Sequence, residues 1–313
     1  MSLIDTILVD TKARLNVRKQ KRSRADLAAM ARDAPRARTT LRAAIEARSF
    51  GVIAEIKRKS PSSGWMDEAN VSAALTVYNT ALSVCAISIL TDEDHFGNTL
   101  EDLSSARAHT DKPLLRKDFI LDEYQVLEAR AFGADAVLIM SGLHAGDPGL
   151  AAGLVSMAID LKMDVLFEVG MMGLQALPAQ RALIREDAVL WGINSRRFKT
   201  TGLMAWAGVG SIRARLGSAI GKDLLTDRDI HKELRTSIPA GQTWVAESGI
   251  KNPAYLHDLR DMKYRAALIG TAFLRKGVSV SGVVREFDRE LDVVLESDPT
   301  KEPSASGFPL PTA

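Results

Sequence analysis

The 313-residue chain holds a single cysteine, so no intramolecular disulfide can form. Cys85 lies in an apolar run and reads as a small buried hydrophobe. Five scattered histidines show no metal-ligand spacing. Neither sign of charge dominates: 41 basic residues face 39 acidic ones, for a net charge of +2. That balance excludes a global pull toward nucleic acid or anionic membrane and leaves any anion preference to a local site. No segment approaches the ~20 apolar residues that a membrane-spanning helix needs. The N-terminus, MSLIDTILVDTKARLNVRKQKR, lacks the uninterrupted apolar core of a secretory signal, and a cytoplasmic location is expected. The basic cluster at 18–24 has no interleaved aromatics, which favours a solvated helix face or a lid near an anionic ligand over a nucleic-acid arm.

What is present is a regular alternation. From residue 52 onward, apolar runs of strand length at 52–57, 84–90, 113–117, 134–140, 164–169, 188–194, 243–248 and 266–270 alternate with helix-length stretches. The latter fall near 68–82, 100–109, 123–132, 148–162, 172–184, 227–236, 253–262 and 278–295. Eight strand–helix pairs predict an α/β fold of the (β/α)8 barrel class. The strands are almost continuously apolar, as expected when helices cover their outer face. A doubly wound open sheet is the competitor. It usually carries GxGxxG after its first strand, whereas the turn here reads KRKSPSSG. The expected organisation is a helical extension over 1–48, a barrel domain over 49–296 and a Pro- and Ser-rich disordered tail over 297–313. The long connection at 198–242 is expected to hold extra helix.

The strand ends carry the chemistry. Glu55 and Lys57 are two apart, so on a strand they share a face. A structural ion pair closing a barrel mouth is one reading of them, and a catalytic pair is the other. Lys117, Glu168, Asn194, Arg196 and Glu247 end later strands in the same way. Three carboxylates and three cations on otherwise apolar runs are poor packing, because desolvation commonly cancels the Coulomb gain. Function is the better explanation. Ser248-Gly249 and Gly270-Thr271 sit where the last two strands meet their loops, and Ser60 follows the first strand. Barrels often bind phosphate there, although turns and helix caps favour the same residue types.

The stretches IAEIKRKSPSSG, ILTDEDHFGNTLEDL, PLLRKDFILDEYQVLEARAFGADAVLI, LFEV, GINSR, ESGI and LIGTAFLR together resemble the indole-3-glycerol phosphate synthase family, in order from residue 52 to about 275. The resemblance implies a barrel with an N-terminal helical extension. It also implies decarboxylation and dehydration of 1-(2-carboxyphenylamino)-1-deoxyribulose 5-phosphate, a step of tryptophan biosynthesis, without metal or organic cofactor. By position it makes Lys117 the acid that protonates the ketone. Lys57 and Glu168 become the proton-transfer groups of the dehydration, and Glu55 the partner that holds and tunes the lysines. Asn194, Arg196 and Glu247 become substrate ligands. Ser60, Ser248, Gly249, Gly270 and Thr271 become the phosphate cradle. Phe96 and Phe119 are candidates to pack on the anthranilate ring or plain core aromatics.

The chain departs from the family's pattern where Gly170 follows Val169, in Asn194-Ser195-Arg196-Arg197-Phe198, and in the length of the 198–242 connection. A diverged paralogue acting on a modified anthranilate therefore stays open. So does a sugar-phosphate isomerase of the phosphoribosylanthranilate isomerase kind, which would call for a Cys and Asp acid–base pair. A non-catalytic scaffold is opposed by the intact set of charges. The expected partner is a small anionic sugar phosphate, with no nucleic acid or membrane, and the expected state is monomer or weak homo-oligomer.

Overall fold

The computed structural model describes residues 3–61, 63–196, 227–236 and 241–296. Ser62, Arg197, Phe198, most of the 198–242 connection and the 297–313 tail lie outside the described residues. Among the described residues ten strands form: β1 (Gly51–Ile56), β2 (Lys59–Ser60), β3 (Gly64–Trp65), β4 (Val84–Leu90), β5 (Leu114–Lys117), β6 (Ala136–Met140), β7 (Asp164–Val169), β8 (Leu190–Asn194), β9 (Trp244–Glu247) and β10 (Ala266–Ile269). β2 and β3 make a small antiparallel hairpin in the turn after β1. The other eight strands close a barrel in chain order, β10 pairing back onto β1, and every pairing is parallel. All their C-terminal ends therefore share one rim.

Each barrel strand has two different faces. Val52, Ile87, Val137, Phe167, Trp191 and Ile269 point outward and pack with helix residues such as Tyr78, Leu103, Val126, Leu154 and Phe287. Ile53, Ala86, Leu115, Leu138, Leu166, Leu190, Val245 and Leu268 fill the interior. Burying one such side chain is worth about 1.5–3 kcal/mol. Two residues further along, on the same inner face, stand Glu55, Ser88, Lys117, Met140, Glu168, Gly192, Glu247 and Gly270. The interior thus turns from aliphatic to charged over one strand repeat.

The N-terminal stretch splits into α1 (Leu3–Lys21), α2 (Arg24–Asp33) and α3 (Leu41–Glu46). Ser23 ends the first run by capping the second, accepting the Asp26 N–H at 3.1 Å. Pro35 forces Ala34 to extended backbone (ψ 135°) and stops α2. Thr40 then caps α3 through the Ala43 N–H at 3.1 Å. Leu41, Ala44 and Ile45 of α3 enter the interior cluster and plug the N-terminal end of the barrel. The basic cluster is a largely solvated face, with Lys19, Lys21 and Arg24 exposed, and three of its cations are paired across to a barrel helix. Arg18 binds Glu128 (2.6 Å), Lys19 binds Asp122 (2.6 Å) and Arg24 binds Glu123 (2.7 Å), so the segment clamps the extension to the helix Glu123–Ala131. The helix expected over 172–184 shrinks to Leu177–Arg181, because Pro178 belongs in a first turn and fixes the start.

Candidate active site

The side chains of Glu55, Lys57, Glu168 and Glu247 are each buried to within 4% of full enclosure, at the rim of an otherwise apolar barrel. Two ion clusters form there. Lys57 Nζ donates to Glu55 Oε1 at 2.5 Å. Lys117 Nζ donates to Glu168 Oε2 at 3.2 Å and to Glu247 Oε2 at 3.1 Å. These pairings join residues 51 and 130 positions apart. Asn194 is the register partner of Glu247 across β8–β9. Its Oδ1 accepts the Arg196 N–H at 2.9 Å and so sets the start of the following loop.

Two glycines create the room. A Cβ on Gly270 would collide with the Glu55 carboxylate, and one on Gly192 would collide with Glu247 Oε1. Gly270 was expected to serve phosphate; in the structure its bare Cα admits Glu55. Gly192 was not singled out from the sequence. The only signal for it was a glycine inside a strand, which often marks a close approach.

The charges set each other's protonation. Burial opposes ionisation of Glu55, but Lys57, Lys117 and Arg196 hold its carboxyl below the ordinary range. Burial also opposes the Lys117 ammonium, yet Glu247, Glu168 and Glu55 outweigh it and raise its pKa. Glu247 moves the other way. Burial and the neighbouring Glu168 lift it to about 8, against the pull of Lys117. Its Oε1 has no hydrogen-bond partner among the described residues. The trio of Lys117, Glu168 and Glu247 is therefore one coupled set, in which the carboxylates stabilise the ammonium while burial and Glu168 resist ionisation of Glu247. That is an acid–base centre, able to give a proton at one atom and accept one a few ångströms away.

The remaining candidates border this centre. Ser60, buried, accepts the Ser63 N–H at 3.1 Å in the hairpin turn after β1. Ser248 (φ 67°) and Gly249 (φ 72°) are consecutive left-handed residues after β9. For serine that conformation costs on the order of 1–3 kcal/mol and is concentrated at functional sites. Thr271 opens the helix Thr271–Leu274 directly after β10. Since β9, β10 and β1 are successive neighbours, these three turns sit together on one arc of the rim. Phe96 and Phe119 stack at 6.3 Å between centroids and join Leu90, Ile4 and Ile7 in a cluster beneath α1. They are core aromatics that also flank the rim beside Lys117, since Leu90 is its register partner. Among the described residues no His, Cys, Asp and Glu group is arranged to hold a metal ion, and no helix is long and apolar enough to cross a membrane. Cys85 lies near the N-terminal end of β4, in the cluster with α3 and away from the rim. Burial pushes its thiol up to about 11. It cannot serve as the rim acid–base group that the isomerase reading needs.

Fold and centre together define a (β/α)8-barrel enzyme doing proton-transfer chemistry at the C-terminal rim of its strands. Comparison with known proteins narrows the class. The family model described as indole-3-glycerol phosphate synthase matches residues 4–203. A protein named indole-3-glycerol phosphate synthase from Acidovorax sp. (strain JS42) is 37% identical over 239 residues, covering 75% of this chain and 79% of its own. One of the same name from Bacteroides thetaiotaomicron is 31% identical over 273 residues, covering 87% and 93%. The chain belongs to the indole-3-glycerol phosphate synthase family. The fold alone is shared with the solved 3-hexulose-6-phosphate synthase from Salmonella typhimurium, at TM-score 0.53 and 12% identity over 78% of this chain and 99% of that one.

Proposed function

We propose that this chain is a carbon–carbon lyase that converts 1-(2-carboxyphenylamino)-1-deoxyribulose 5-phosphate into indole-3-glycerol phosphate, carbon dioxide and water. The observation that carries the reading is the partly buried Lys117 ammonium held at the rim between the buried Glu168 and Glu247. In the reaction the carboxylate-bearing ring carbon attacks the ketone carbon, and Lys117 gives a proton to the ketone oxygen. The new bond is followed by loss of CO2, whose electron pair restores the aromatic ring. The hydroxyl formed from the ketone then leaves as water with a proton from Lys57. Glu168 takes a proton from the neighbouring CH2, which completes the pyrrole double bond. Glu55 holds Lys57 in place at 2.5 Å.

Substrate anions match the cations left over. Arg196 faces the Glu55 carboxylate closely enough to lower its pKa, and its guanidinium suits the anthranilate carboxylate. Glu247 takes the ribulose hydroxyls, with Asn194 beside it. Ser60, Ser248, Gly249, Gly270 and Thr271 line the arc proposed for the phosphate. Phe96 and Phe119 flank the aromatic ring. The test is growth of indole fluorescence on the ribulose phosphate, wild type against Lys117→Met. The variant is expected to lose at least ~100-fold in turnover, the scale of a removed general acid, while still binding product. Equal rates would remove Lys117 from the role.

A further inference from the structure

At the opposite end of the barrel, between α3 and the start of β4, lies a cavity of about 570 Å3. Its wall is apolar on one side, from Ala43 and Ala47, and cationic on the other, from Arg48 and Lys112. The Lys112 ammonium is fully used: it donates to the carbonyls of Tyr78 (2.7 Å), Ala81 (3.0 Å) and Val84 (2.5 Å). Arg48 is not. Among the described residues its Nε has no hydrogen-bond partner, and no carboxylate lies within ion-pair distance of Arg48 or Lys112. Asp111, the acid on this wall, is turned to Arg38 at 3.0 Å. Burial and the nearby Arg48 depress Lys112 to about 8, against a weaker opposing pull from Cys85 and Asp288. The half-buried Arg48 guanidinium therefore keeps its terminal NH2 groups for an acceptor in the cavity.

We propose that this cavity is a second small-molecule site, which takes a small carboxylate with a flat apolar body. Arg48 receives the carboxylate through its planar fork, and Ala43 and Ala47 receive the body. The site is separate from the rim, where the reacting groups lie, and its occupant would tie the plug helix to β4.

The test uses 4-fluorobenzoate as probe, followed by fluorine NMR on the full chain with indole-3-glycerol phosphate present at saturation. Wild type is expected to bind it saturably. Arg48→Met should weaken binding at least ~tenfold, the loss expected for one charge-assisted hydrogen bond. Ala47→Phe, at an exposed position, should abolish binding by filling the space with Arg48 intact. Turnover of the ribulose phosphate should be unchanged in both. Absence of saturable binding to wild type would overturn the proposal, as would wild-type affinity in either variant. Should Arg48→Met fail to fold, Ala47→Phe alone decides.

Discussion

The two ends of the barrel are made from the same eight strands and do opposite things. At the N-terminal end, Leu41 and Ile45 of α3 meet Ile53, Leu115, Leu166 and Val245 with nothing exposed. At the C-terminal end, one repeat further on, the inner positions are Glu55, Lys117, Glu168 and Glu247. The first arrangement gains free energy by burial. The second gains little by it, since buried ion pairs roughly break even against apolar residues. What the contrast teaches is a division of labour along each strand: stability from the lower layer, reactivity from the upper one, fixed by side-chain identity at positions two apart.

Mutations at the two ends should therefore separate cleanly. The largest effect is that of Lys117→Met, a fall of at least ~100-fold in turnover with product binding retained. Its counterpart is Leu41→Ala, which should cost about 2–5 kcal/mol in denaturant unfolding yet leave turnover per folded molecule intact. Comparable loss of turnover in both would break the division. Next comes Gly192→Ala. The added methyl displaces the Glu247 carboxylate, and misplacement by about 1 Å can cost up to ~100-fold. Steady-state kinetics should show the loss in kcat with the fold intact by circular dichroism.

Glu247 also sharpens the comparison through pH. Its folded pKa of about 8 stands above its ordinary value of 4.5, so the folded state binds the proton more tightly than the unfolded one. Stability from this group is complete below 4.5 and declines as pH rises toward 8. Glu247→Gln stays neutral throughout. Its melting temperature should gain on wild type steadily from pH 5 to 8, and a constant difference would show that Glu247 is ionised in the fold. Glu55, held below the ordinary range, contributes in the opposite sense and loses its contribution only in acid. The smallest effect belongs to the clamp on the extension. Arg24 and Glu123 are both well exposed, so Arg24→Ala should change unfolding by no more than ~0.5 kcal/mol.

Much of the architecture was legible because its signals are local. The apolar runs from 52–57 to 266–270 became the eight barrel strands within a residue or two of their expected bounds. Period-two alternation put Glu55 and Lys57 on a common face before any coordinates, and the two are found hydrogen-bonded. The Lys117 pairings were harder. They span 51 and 130 residues, and nothing local says which carboxylate a lysine will meet. The hairpin of β2 and β3 went unforeseen, because KRKSPSSGW carries turn residues without strand-length apolar runs. The role of α3 as a plug was equally hidden, since LRAAIE is too short to announce a face.

The amino-acid order by itself determined the strand and helix periodicity, the capping residues, and the placement of charge at strand ends. Those depend on neighbours within a few positions, where propensity and alternation act directly. Only the closed barrel decided which ends face one another, that Gly192 and Gly270 must lack a side chain, and that Glu247 carries a raised pKa while Glu55 is lowered. Such properties arise from burial and from charges brought within a few ångströms. Both come into existence when distant strands share one rim.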